Sequence, residues 1–167
     1  MPRPVELLAY DPAWPARAGG LMAELRAATP GVFEALHHVG STSVAGLAAK
    51  PVIDLLGETA SLSQMEAARP ALAALGYRWR GENGIAGRRY FTRDDPDTGA
   101  RAVHLHVHAS DDPAVARHLA FRDRLRAEPG LAQAYLAEKR RCAALHPGDS
   151  GAYTACKEGW IEGVNRS

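Results

Sequence analysis

The segment Pro51-Val52-Ile53-Asp54-Leu55-Leu56-Gly57 constrains this chain more than any other. A short apolar run closed by glycine is the pattern of a buried strand. The carboxylate in its middle must then be paired, hydrogen-bonded or bound to a cation, because an unpaired buried charge is costly. The strand therefore predicts both a core element and a place where that core meets chemistry.

The flanking sequence predicts a mixed α/β (α+β) arrangement. Asp11-Pro12 opens a helix that runs to about Ala28, and residues 33–39 read as a strand leading into Gly40. The run at 51–56 ends at Gly57. Ser63-Gln64-Met65-Glu66 has capping-box spacing and opens a helix that stops at Gly76. Residues 77–80, 88–93 and 101–109 read as further strands. Beyond them, helices are expected from Asp112 to Ala127, from Pro129 to Leu145 and from Gly151 to Asn165. The chain of 167 residues suits one core, with mixed sheet and helices over 1–110 and a helical cover over 111–167.

Composition narrows the function. Twenty basic residues against nineteen acidic ones leave a formal charge of +1, which argues against nucleic acid as the main partner. The N-terminus has no charged-then-apolar leader and no apolar run approaches a membrane span, so the cytoplasm is expected. Cys142 and Cys156 lack metal-site spacing and read as reduced packing residues. The oligomeric state is left open.

Four groups of residues could carry chemistry. Gly40-Ser41-Thr42-Ser43 joins a strand to a short helix, and glycine, hydroxyls and free amides there suit a phosphate. Lys50 and Asp54 follow, and Asp54 could hold Mg²⁺ while that turn holds phosphate oxygens. His104, His106 and His108 alternate with Leu105 and Val107, so they share one strand face, where two of them with Asp54 could ligate an ion. Lys157 falls within the apolar stripe of Tyr153, Cys156, Trp160, Ile161 and Val164, where an ammonium needs an anion or a route to water. Arg88 and Arg89 point to opposite faces of their strand. The run Glu138-Lys139-Arg140-Arg141 reads as a solvated helix face.

Gly40-Ser41-Thr42-Ser43-Val44, Gly46-Leu47, Lys50-Pro51 and Ile53-Asp54 together resemble the signature of the GrpB family. His38, Arg89, His104-Leu105-His106-Val107, Phe121-Arg122-Asp123, Tyr135 with Lys139 and Tyr153 with Lys157 extend the resemblance over nearly the whole chain. It implies a fold like that of the DNA-polymerase-β-type nucleotidyltransferases. The implied ligand is a nucleotide or another phosphorylated small molecule, a CoA precursor included since some members are fused to a dephospho-CoA kinase domain. Mg²⁺ or Mn²⁺ would be the metal. In that reading Asp54 and Lys157 are catalytic. Gly40, Ser41, Thr42, Ser43, Lys50, Arg89 and Tyr153 bind the ligand, with Arg89 as an anion fork. Asp54, His104 and His106 hold the ion. The superfamily places a second carboxylate two residues after the first, and that position here is Leu56. Glu58 shares the alternating face, but Gly57 is expected to end the strand before it. The departure keeps a second reading open, an accessory or ligand-sensing domain without chemistry. A third treats residues 104–108 as similar to a histidine-triad motif, with His106 as nucleophile.

Overall fold

The computed structural model describes residues 3–167. Helix α1 spans Trp14–Ala28 and strand β1 spans Ala35–Val39; a 3-10 turn over Ser41–Ser43 separates β1 from β2, Ile53–Thr59. Short helices α2 (Leu62–Ala67) and α3 (Arg69–Ala74) precede β3 (Arg78–Trp79), β4 (Arg89–Asp94) and β5 (Arg101–Ala109). Three longer helices follow: α4 (Pro113–Ala127), α5 (Pro129–Leu145) and α6 (Ser150–Asn165). The strands form one mixed sheet in the order β1-β2-β5-β4-β3, in which β2 and β5 run parallel and every other pair is antiparallel.

Strand alternation divides the sheet into two unlike faces. Leu36, Ile53, Leu55, Phe91, Val103, Leu105 and Val107 pack against Trp14, Ala18, Leu21 and Leu25 of α1 and against Met65 and Leu72 of α2 and α3. The opposite face is apolar only at one end, where Val39 and Leu56 meet Val115 and Leu119 of α4. The rest of that face carries Asp54 and the histidines. Helices α4 to α6 close around Leu125, Tyr135, Phe121 and Trp160, and bind Val44 and Leu47 of the loop after the 3-10 turn.

Four expectations are corrected. Gly57 does not end β2, which runs on to Thr59. Glycine is needed there because a β-carbon would lie 2.6 Å from the Phe33 ring. The helix expected over 63–76 is broken at Ala68, since Pro70 lacks the N–H that a continuous helix would use. Its N-cap is Ser61, whose hydroxyl accepts the Gln64 N–H at 3.2 Å, not Ser63. Cys142 and Cys156 are not free thiols: they form a disulfide joining α5 to α6, with Cα atoms 5.8 Å apart. That removes the reduced-cysteine part of the case for the cytoplasm. Among the described residues no helix is long and apolar enough to cross a membrane.

Candidate functional site

The site starts from the parallel register of β2 and β5. Asp54 lies opposite His104, and Leu56 lies opposite His106. Asp54 Oδ1 is consequently 3.1 Å from His104 Nδ1 and 3.4 Å from His106 Nε2. On its other side Asp54 pairs with Val39, and the chain turns at Gly40 with φ of 73°. A β-carbon on Gly40 would sit 2.6 Å from Asp54 Oδ2, so this position requires glycine for both conformation and space. Burial pushes the Asp54 carboxyl up, but the two imidazoles outweigh that and hold it well below the usual carboxylate range.

The hydroxyls of the turn are not equivalent. Thr42 shares a 2.8 Å hydrogen bond with His38 Nε2, and Ser43 donates to the Gly40 carbonyl. Both are buried. Ser41 has no such bond among the described residues.

Three lysines complete the site from the helical side. Lys50 donates to Ser150 Oγ at 2.8 Å and lies 5.3 Å from the centre of the Tyr153 ring, with Lys157 5.2 Å from the same ring. Lys139 donates to the Ala48 carbonyl and lies 5.2 Å from the Tyr135 ring. Tyr153 is buried and its hydroxyl is pushed up to about 12, chiefly by burial. No lysine forms an ion pair among the described residues. Burial, then the charge of Lys157, lowers Lys50 to about 8 and Lys139 to about 7. Burial also opposes the charge of Lys157, while Tyr135, Tyr153 and Asp54 act the other way and raise it on balance. Asp54 is the carboxylate that raises all three.

The arginine of this site is Arg88, not Arg89. Arg89 lies on the other sheet face, 2.7 Å from Glu66 and 3.7 Å from Glu82, so it is a surface ion pair and not an anion fork of this site. Arg88 is 7% exposed; its guanidinium lies 4.5 Å from the Tyr90 ring centre and 3.3 Å from His106 Nδ1, and it donates to the Glu82 and Asn83 carbonyls. No carboxylate pairs with it among the described residues. Lys139, read from the sequence as solvated, is 1% exposed and belongs to the site. His108 lies on the same face but farther along β5, opposite Glu58, with Nδ1 3.1 Å from Asp112. His106 has a neighbour at each ring nitrogen, so it is not poised as a histidine-triad nucleophile.

The donor set does not fit the two-ion magnesium arrangement of the superfamily. Leu56 stands where the second carboxylate would, fully buried against the apolar Val39 and Val115. Glu58 does lie on the strand, but His37 engages it at 2.6 Å. A shallow groove of about 510 Å³, lined in part by Arg69, Tyr77, Trp79 and Phe91, lies away from Asp54, and Arg69 there stacks on Trp79.

The half-buried His38 gives the region a pH signature. Burial and the nearby Arg126 and Arg122, partly offset by Asp54, lower it to about 4. The unfolded chain binds this proton below about pH 6.5, whereas the folded chain resists it until about pH 4. Stability should therefore fall as pH drops from 6.5 to 4, by about 1–3 kcal/mol from this group. Urea unfolding of His38→Gln across that range should lose this component; an unchanged slope would remove His38 as its source.

Residues 4–167 match the family model described as GrpB protein. The UPF0157 protein YqkA of Bacillus subtilis is 39% identical over 96% of this chain and 46% of that protein. A dephospho-CoA kinase of Mycolicibacterium paratuberculosis is 33% identical over 98% of this chain and 46% of its own. The chain thus spans about half the length of these two curated relatives. The crystal structure of the conserved protein GrpB from Enterococcus faecalis superimposes with a TM-score of 0.88 at 31% identity, covering 96% of this chain and 95% of that one. Cid1 poly(U) polymerase with Mg 3′-dATP bound gives a TM-score of 0.57 at 14% identity, over 90% of this chain and 49% of its own, which is a likeness of fold.

Proposed function

The chain belongs to the GrpB family and has the nucleotidyltransferase-like fold, and from that premise we propose that it binds the polyphosphate of a nucleotide, or of a similar small molecule, between Asp54 and the lysines of the helical side. The observation that carries this reading is the placing of Lys50 and Lys157 over the one Tyr153 ring, 5.3 and 5.2 Å from its centre, with the buried Lys139 over Tyr135 and no ion pair at any of the three among the described residues. Ammonium groups held close together without ion pairs repel one another, and a di- or triphosphate relieves that repulsion where a monophosphate does so only in part. Ser41 and the Gly40 turn approach the ligand from the strand side, and Lys50, Lys157 and the Tyr153 ring from the helical side. Arg88 supplies a planar fork next to His106.

Asp54 serves this reading as an anchor. Held low by its two imidazoles, it is a weak proton acceptor near neutral pH. It orients His104 and His106 and balances part of the lysine charge. Leu56 favours binding without two-metal transfer, which is the accessory-domain reading. Nucleotidyl transfer that is lost in Asp54→Asn would reject that second reading.

The test is thermal unfolding and calorimetric titration with ATP, ADP, AMP, tripolyphosphate and dephospho-CoA, the last because relatives carry the dephospho-CoA kinase name. Affinity should rise from mono- to triphosphate. A ligand at 100 times its dissociation constant adds about 2.7 kcal/mol, which for this size raises the midpoint by roughly 5–11 °C. The shift should shrink in Lys157→Met. A flat response to every phosphate, tripolyphosphate included, would sink the proposal.

A further inference from the structure

We propose that Asp54, His104 and His106 form a binding site for one first-row transition-metal dication of the Zn²⁺ or Co²⁺ kind, and not for Mg²⁺. The inference concerns protein donors alone and does not depend on the nucleotide reading.

Three donor atoms face one point. Asp54 Oδ1 is 3.1 Å from His104 Nδ1 and 3.4 Å from His106 Nε2, and all three lie within 4.8 Å of one another. Donors about 2.1 Å from a common ion are separated by roughly 3.0–3.4 Å in octahedral or tetrahedral geometry. A distance of 3.4 Å is long for a charge-assisted hydrogen bond but suits two ligands of one ion. The two histidines come from alternate positions of one central strand and the aspartate from its parallel neighbour, so backbone pairing holds the donors in place. Three protein ligands leave coordination positions open.

The chemistry of the set selects the metal. Mg²⁺ favours carboxylate, carbonyl, phosphate and water oxygens, whereas imidazole suits zinc, copper, iron and nickel. Two imidazoles and one carboxylate thus depart from the magnesium site expected from the superfamily. The sheet explains why: Leu56, where the second carboxylate would stand, is paired in register with His106. The other group of potential ligands, Glu138 with Cys142 and Cys156, has both sulfurs in the disulfide.

Arg88 adds a consequence that a plain hydrogen-bonded triad would not have. With Arg88 Nη1 donating to His106 Nδ1 at 3.3 Å, the His106 proton sits on Nε2, facing Asp54. An ion on Nε2 requires that proton on Nδ1, where it opposes the guanidinium. Arg88 therefore holds His106 in the tautomer that disfavours the ion, and its removal favours the metal.

The experiment titrates chelator-stripped protein, without nucleotide, with Co²⁺, Zn²⁺ and Mg²⁺, read by calorimetry and by the visible absorption of Co²⁺. One Co²⁺ or Zn²⁺ per chain is expected, with Mg²⁺ silent at millimolar concentration. His104→Gln and His106→Gln, each checked for an unchanged fold by circular dichroism, should weaken Co²⁺ binding more than the 10–100-fold typical of an outer-sphere change. Arg88→Met should tighten it by about tenfold. Absence of Co²⁺ binding, Mg²⁺ binding equal to that of Co²⁺, or full affinity in both histidine variants would overturn the site. An Arg88→Met protein with unchanged or weaker affinity would overturn the tautomer assignment. Because no phosphate is present, failure here is separate from failure of the polyphosphate reading.

Discussion

Leu56→Asp, the substitution that would restore the superfamily's second carboxylate, should destabilise the protein by about 3–5 kcal/mol and create no magnesium site. The leucine side chain is fully buried against Val39 and Val115. Removing a buried leucine alone costs roughly 2–5 kcal/mol, and the new charge would sit between His37 and His106, imidazoles already engaged by Glu58 and by Asp54 and Arg88. Such a loss is a large part of the 5–15 kcal/mol typical of a folded domain. The sign with pH separates charge from packing. Burial raises the folded-state value of the introduced carboxyl, so the penalty is full well above it and eases as pH falls towards 4–5. Leu56→Ala should lose stability without that easing. Urea unfolding of both variants at pH 5 and 7.5 measures the difference. A Leu56→Asp protein as stable as the parent, with Mg²⁺ raising its midpoint, would mean that the apolar cluster is not a barrier to the two-metal arrangement.

Much of the fold was legible because its signals are local. The alternation at 101–109 and the proline-led helices at 113 and 129 appear at the positions that their residues predicted. Gly57 was misread because glycine ends strands often, and the reason for this one lies in a long-range neighbour, the Phe33 ring. The disulfide escaped notice for a related reason. Fourteen residues separate Cys142 from Cys156, and only the packing of α5 on α6 brings their Cα atoms within bridging distance.

The strand half of the site was readable, since Asp54 in an apolar run and histidines at alternate positions share a face by backbone geometry alone. The arginine was not, because Arg88 and Arg89 alternate faces and nothing local says which face is the site. Lys139 was obscured by its charged neighbours on α5. A signal for it was present nonetheless. Of the twenty basic residues only Lys50, Lys139 and Lys157 are lysines, the other seventeen being arginines. A chain that uses arginine nearly everywhere else places every lysine over a buried tyrosine ring, Tyr153 or Tyr135. A compact ammonium can lose its proton when buried, which guanidinium does not do in proteins, so the two cations are not interchangeable here.

That difference makes polyphosphate affinity depend on pH in a way that can be assigned lysine by lysine. Tripolyphosphate binding should weaken on the order of 100-fold between pH 7 and 9. Lys139 at about 7 and Lys50 at about 8 lose their protons across this window in the free protein, and the ligand must restore them to make its contacts. Tripolyphosphate loses its own last proton within this window, which works in the opposite direction, so the profile is corrected for the ligand's titration measured in the absence of protein. Lys157 keeps its charge throughout. Lys157→Met should therefore reduce affinity by about 10–100-fold near pH 7, as loss of a charged hydrogen bond worth roughly 1.5–3 kcal/mol implies, and move the pH-dependent fall to higher pH, because the charge of Lys157 helps to lower Lys50 and Lys139. Lys139→Met should flatten the lower part of the profile, and Lys50→Met the upper part. Methionine preserves most of each apolar stem, although at 139 it leaves the Ala48 carbonyl without its donor, so unfolding midpoints accompany the titrations. An affinity that stays constant from pH 7 to 9 would mean that Lys50 and Lys139 do not face the bound phosphates. The cationic site would then rest on Lys157 and Arg88, whose charges do not change in this range.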